Sequence, residues 1–271
     1  MKKNLIFLLS LSLAALLPGQ GDNAVQEAAV KFSNPGQPGV VEAHLMSGEI
    51  TVEGHSGKEV LVTLKTRGQV LKKTRNEKGM FVIENRGVDF SIEEENNRVE
   101  INTGVHQEAV SLFLKVPLNT SLELRTLQNG NITIQNVRGE FDVNNLNGSI
   151  EMTGVSGTVI AHSLNGSIRV IFDQVNPDKP MSFSTLNGKI DITLPADSNF
   201  DIKLDSRMGK IYSDFDLTLE SQLVKEEEDT RKEGGKYEIS WDRGLRAKLN
   251  RGGPEIMLKT MNGNIYIRSK K

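Results

Sequence analysis

The sequence predicts an all-β fold, a β-solenoid with two strands per coil of about 18 residues stacked in parallel. Three observations predict it. One short phrase recurs at a near-fixed interval, with Gly130, Gly148 and Gly166 each eighteen residues apart. Apolar and polar residues alternate with period two after each glycine, as in a strand with one buried face. Two kinds of turn also recur, each at its own place in the repeat.

The phrase is Leu146-Asn147-Gly148-Ser149-Ile150, and again Leu164-Asn165-Gly166-Ser167-Ile168. It continues at Leu186-Asn187-Gly188-Lys189-Ile190 and Met208-Gly209-Lys210-Ile211, and returns at Met261-Asn262-Gly263-Asn264-Ile265. An early copy stands at Met46-Ser47-Gly48-Glu49-Ile50. Asn and Gly tolerate positive φ and so turn the chain. The second turn is a glycine corner, at Asn136-Val137-Arg138-Gly139, at Gly154-Val155-Ser156-Gly157, and early at Gly54-His55-Ser56-Gly57.

Between corners the alternation predicts short strands. Ile132, Ile134, Ile150, Met152, Ile168, Val170, Ile190 and Ile192 point inward in one strand of each unit. Phe141, Val143, Val159 and Ala161 point inward in the other. Alternation then sends Asn145 and Ser163 inward as well. The Leu or Met that follows is expected to tuck under the turn as a plug.

Asn-Gly between alternating strands also suits an antiparallel hairpin, so a meander or sandwich is the alternative. A solenoid gives the repetition a reason, because like stacks on like. Longer intervals before Gly188 and Gly209 are insertions at corners. Glu151, Arg169 and Asp191 become outward neighbours of alternating charge, a solvated face with favourable pairing.

The flanks are less regular. Strand-like runs lie at Val60 to Leu64, Met80 to Glu84, Val88 to Ile92, Val99 to Ile101 and Val110 to Val116. Pro117 ends the last of these. Gln222 to Lys236 is a charge run, expected as a mobile loop. Regular repeats thus cover about residues 126–215, the charged insertion about 222–236 and a final repeat 256–268. All belong to a single domain of residues 22–271. Arg268, Lys270 and Lys271 beside the last strand are expected to discourage edge-to-edge sticking.

Residues 1–21 read as a secretory signal: Lys2 and Lys3, an apolar run from Leu5 to Leu17, then Pro18 with the small Gly19 and Gly21. Export follows, to the periplasm, the outer surface or the medium, with no transmembrane segment after signal removal. The chain has no cysteine, so the fold is held without disulfides. Its formal charge of -2 gives no basic surface for nucleic acid.

The signal, the "LKVP" step and the phrase "RTLQNGNITIQNVRGEFDVNNLNGSIEMTGVSG" together resemble the DUF4097 family. These are exported bacterial β-strand-repeat proteins labelled as adhesins. The resemblance spans most of Leu45 to Ile211 and the final repeat. It implies a solenoid-like fold in the cell envelope, and it carries no catalytic residues.

Nor do the residues supply chemistry. His44, His55, His106 and His162 lack ligand spacing. Glu93 to Glu95 and Glu226 to Asp229 lack the glycine and alternating Asp of a calcium loop. Gly154 to Gly157 is one residue short of a serine-nucleophile elbow. Trp241 reads as a core or cap aromatic rather than a sugar platform. No cofactor is expected. The expectation is a non-catalytic envelope protein, adhesin-like, binding a protein or polysaccharide. The alternatives are a carbohydrate-active enzyme on a β-helix scaffold, with Glu151, Arg169 and Asp191 as the sole cluster, or a partner in envelope-stress regulation.

Overall fold

A computed structural model describes residues 23–67, 72–75, 81–84, 90–104, 109–220, 224–229, 237–242 and 244–271. The signal segment, His106, Met80 and Val88 lie outside them, as does the side chain of Trp241. Among the described residues the chain is all-β. Its N-terminal part forms β1 (Asn23–Lys31), β2 (Gly39–His55), β3 (Glu59–Arg67), β4 (Lys72–Arg75), β5 (Phe81–Glu84), β6 (Phe90–Glu95), β7 (Arg98–Thr103), β8 (Val110–Pro117) and β9 (Thr120–Gln128). The regular repeats form β10 (Ile132–Gln135), β11 (Arg138–Asn147), β12 (Ile150–Asn165), β13 (Ile168–Val175), β14 (Met181–Asn187) and β15 (Ile190–Pro195). Then come β16 (Phe200–Ser206), β17 (Ile211–Ser213), β18 (Thr218–Glu220), β19 (Val224–Asp229), β20 (Tyr237–Asp242), β21 (Leu245–Leu249), β22 (Glu255–Asn262) and β23 (Ile265–Lys270).

Equivalent strands pair in parallel and in register. Ile50, Ile132, Ile150, Ile168, Ile190 and Ile265 form one continuous column. Val52, Ile134, Met152, Val170, Ile192 and Ile267 form the next, and both columns are closed to water. In the facing ladder Leu124, Val143, Ala161, Phe183 and Leu258 stack likewise. The small Ala161 is followed by the large Phe183, so bulk is traded between rungs and density is kept. The expected antiparallel alternative is absent from these repeats, because every rung lies parallel on its neighbour.

The pairings do more than form two separate ladders. β2 and β12, of 17 and 16 residues, run through a corner without losing strand geometry, so each pairs on both sides. The contacts β2–β9, β9–β11, β11–β12, β12–β10 and β10–β2 therefore close a ring. The core is a closed five-strand parallel barrel to which further strands are added, rather than a plain solenoid. A bend inside β12 absorbs the corner at Gly154 to Gly157. Gly154 has φ 67° and Gly157 φ 126°, and the register with β13 slips there.

Two expectations about the flanks are corrected. The final repeat does not end the stack. β22 lies between β14 and β16, and β23 lies between β15 and β17. Arg268 and Lys270 therefore do not guard an open edge: they bond Asp191 and Asp173. The charged insertion is not all loop either. β19 pairs antiparallel with β20 as a separate two-stranded sheet.

Candidate functional site: an exposed ridge at the Asn-Gly corner

The expected Leu and Met plugs point the other way. Met46, Leu127, Leu146, Leu164, Leu186 and Met261 are each 39–43% exposed. The residue before each one decides this. Strand geometry alternates sides, and the inward position is taken by Thr126, Asn145, Ser163, Thr185 or Thr260, or by Leu45 before Met46, all buried.

Those inward polar side chains have partners. Thr126 Oγ1 donates to the Gly48 carbonyl at 3.1 Å, and Asn145 Nδ2 to that of Gly130 at 2.9 Å. Ser163 donates to Gly148 at 3.1 Å, Thr185 to Gly166 at 2.8 Å, Thr260 to Gly188 at 2.9 Å and Ser206 to Gly263 at 3.0 Å. Each hydroxyl or amide reaches the glycine of the adjoining rung and satisfies a carbonyl that the turn would leave unpaired. The glycines must be glycines. A Cβ at Gly166 would meet the Gly148 carbonyl oxygen at 1.9 Å.

On the other side of the ridge runs an asparagine ladder. Asn165 Nδ2 donates to Asn147 Oδ1 at 2.8 Å, Asn187 to Asn165 at 2.8 Å and Asn262 to Asn187 at 2.7 Å. Asn147 donates to the Leu127 carbonyl at 3.2 Å. Asn147, Gly148, Asn165, Gly166, Asn187, Gly188, Asn262 and Gly263 are thus brought into one corner, in the order in which the rungs stack.

Register sets the ridge in line. Leu146 and Leu164 lie between the paired residues Asn145↔Ser163 and Asn147↔Asn165, and Leu186 and Met261 are placed likewise. Met46 and Leu127 extend the line at one end. Met208, 75% exposed, bonds through its backbone to Met261 at the other. Six rungs at the inter-strand spacing give a ridge roughly 24 Å long. A shallow open depression of about 460 Å³ lies beside it, lined by Arg125, Leu127, Leu146, His162 and Leu164 among others. Contiguous exposed apolar surface on this scale marks an interaction site more often than solvent-facing strand does.

The acidic and basic residues singled out in the sequence behave as structural pairs. Arg169 donates to Glu151 at 3.2 Å. Asp191 is only 7% exposed and so is not part of a solvated face. It accepts from Arg268 at 2.7 and 3.4 Å, and Lys189 stands 3.9 Å away. Its hydrogen bond raises the Arg268 guanidinium above its ordinary range. In the column next to Arg268, the Tyr212 and Tyr266 rings stack at 4.9 Å. His162 Nδ1 meets the Ser184 hydroxyl at 2.5 Å, and His55 ties its own corner to Gly57 and Glu59.

Sequence reading missed one cluster. Arg98 lies between Glu42 and Glu123 and bonds both. The Arg98 bond, with the attraction of its charge, holds the Glu123 carboxyl below its ordinary value. The signal lay in three scattered strands whose adjacency only the register reveals. Among the described residues no three His, Asp or Glu side chains are grouped to hold a metal ion. A recess of about 570 Å³ opens at another corner between Pro177, Asp197 and Pro254.

No family model matches the chain, and no curated protein matches it. Solved structures do resemble it. One is a "putative cell adhesion protein" from Clostridium sporogenes, at 10% identity and TM-score 0.46, covering 91% of this chain and 100% of that one. A "putative adhesin" from Bacteroides fragilis aligns at 10% identity and TM-score 0.41, over 92% and 97%. A "putative adhesin" from Parabacteroides distasonis aligns at 9% identity and TM-score 0.31, over 93% and 98%.

Proposed function

We propose that this protein is a non-catalytic, adhesin-like interaction protein of the cell envelope, in which a stiff stack of solenoid-like coils presents a surface to a partner in that envelope. One observation carries the reading: the Met and Leu residues of the Asn-Gly corner are turned outward on every rung, in register. A soluble strand corner has no use for a continuous aliphatic line, which costs free energy in water. The ladder of inward hydroxyls and amides holds that line in place, so the display is built into the repeat.

Export is part of the proposal and rests on the basic, apolar and small-residue pattern of residues 1–21. The carboxylates of the outer face support the non-catalytic reading, since Glu151, Asp191 and Glu123 each already hold a cation.

The test is retention of the purified chain on isolated envelopes. Wild type should be retained, and Leu146→Glu/Leu164→Glu should be lost while its melting temperature stays within a few degrees. Equal retention of both proteins, or none of either, would overturn the reading.

A further inference from the structure

The chemistry around the ridge points to what it touches. On the rungs from Leu127 to Met261 the column two residues before it holds Arg125, Asn144, His162, Ser184 and Lys259. The column just after it holds Gln128 and the asparagine ladder. Beyond the glycines come Asn131, Ser149, Ser167, Lys189 and Asn264, ordered by the same stacking. None of these flanking positions is acidic, in a chain with 35 acidic residues. Arg125, Lys189 and Lys259 are all exposed. The first flanking acids stand at the ends, Glu49 beside the Met46 rung and Asp205 beyond Lys259. One column further out stand Glu123, bound by Arg98, Asp142, bound by Asn144, and the exposed Ile160, and on the other side Glu151 and Asp191, paired with Arg169 and Arg268.

An aliphatic line whose adjoining columns hold bases, amides and hydroxyls, with the acids of the next columns already bonded, is complementary to an anionic amphiphile layer. We propose that the ridge docks on a membrane surface containing anionic lipids: Leu127, Leu146, Leu164 and Leu186 enter the headgroup–acyl boundary while Arg125 and Lys259 meet the phosphates. Affinity there comes from buried apolar area plus attraction of basic residues to anionic headgroups. Two rival occupants fit less well. A polysaccharide is held chiefly by aromatic faces, and the ridge is wholly aliphatic. A second copy of the same ridge would set bases against bases or amides, with no acid to receive them.

This inference rests on the interaction-protein reading, and its test separates the two. The purified chain is sedimented with phosphatidylcholine vesicles and with vesicles in which about a third of the lipid is phosphatidylglycerol. Binding should appear with the anionic vesicles and weaken as salt is raised. Arg125→Ala should weaken it about fivefold. Leu146→Glu/Leu164→Glu should reduce it tenfold or more with an unchanged circular dichroism spectrum. Equal binding to both vesicle types, binding to neither, or binding indifferent to the ridge substitutions would overturn the lipid assignment. So would a concentration-dependent dimer that Leu146→Glu/Leu164→Glu abolishes. Retention on envelopes without vesicle binding would sink the lipid partner and leave the interaction reading standing.

Discussion

Ile150 lies between Ile132 and Ile168 and touches no water. Ile150→Asp buries an unpaired carboxylate in that column, and the chain should fail to fold at room temperature by circular dichroism. Glu151, one residue on, makes an exposed ion pair with Arg169. Glu151→Ala should shift the melting temperature by no more than about a degree or two. Gly166 is a stricter case. Gly166→Ala presses a methyl onto the Gly148 carbonyl and should cost on the order of 2–4 kcal/mol in a denaturant titration. Glu123 gives a pH signature. Arg98 depresses its carboxyl below the ordinary 4.5. A depressed acid adds stability above its unfolded value and loses it as pH falls through the folded one. Wild type should therefore melt higher than Glu123→Gln at neutral pH, with the gap closing in acid below about 4.5.

Among the elements, the repeat strands were largely legible. Period-two alternation and glycine spacing gave the inward positions from Ile132 to Ile192 and their stacking partners. What misled was Leu146 and its equivalents. An apolar residue after a polar one reads as buried, although alternation itself places Asn145 and Ser163 inside and so the leucines outside. The hydrogen bonds that make a buried hydroxyl or amide acceptable link different rungs, and no local pattern announces them. Rung order was also hidden. The final repeat has the same phrase as the others, and nothing in that phrase says that β22 and β23 sit inside the stack. Deleting residues 255–271 should therefore expose β15, β16 and β17 together. Hydrogen exchange should show the amide of Ile190, which donates to Asn264, unprotected while those of Ile132–Gln135 stay protected. Protection at both sites would refute the slotted placement.

For the molecule as a whole, neighbours in space are distant in sequence: Ile50 lies on Ile132 and Asp191 on Tyr266. Parallel pairing over such separations closes long loops before any contact compensates, so refolding should take milliseconds to seconds or longer by far-UV circular dichroism after denaturant dilution. The slot between β15 and β17 has a further consequence in time. Synthesis runs from N- to C-terminus, so β16 and β17 are made before β22 and β23, the rung that belongs beneath them. Until residues 255–270 emerge, a berth one strand deep stays vacant, with Ile190 and Ile192 as its floor. Whatever shelters a nascent polypeptide must hold that berth open until those residues have been made.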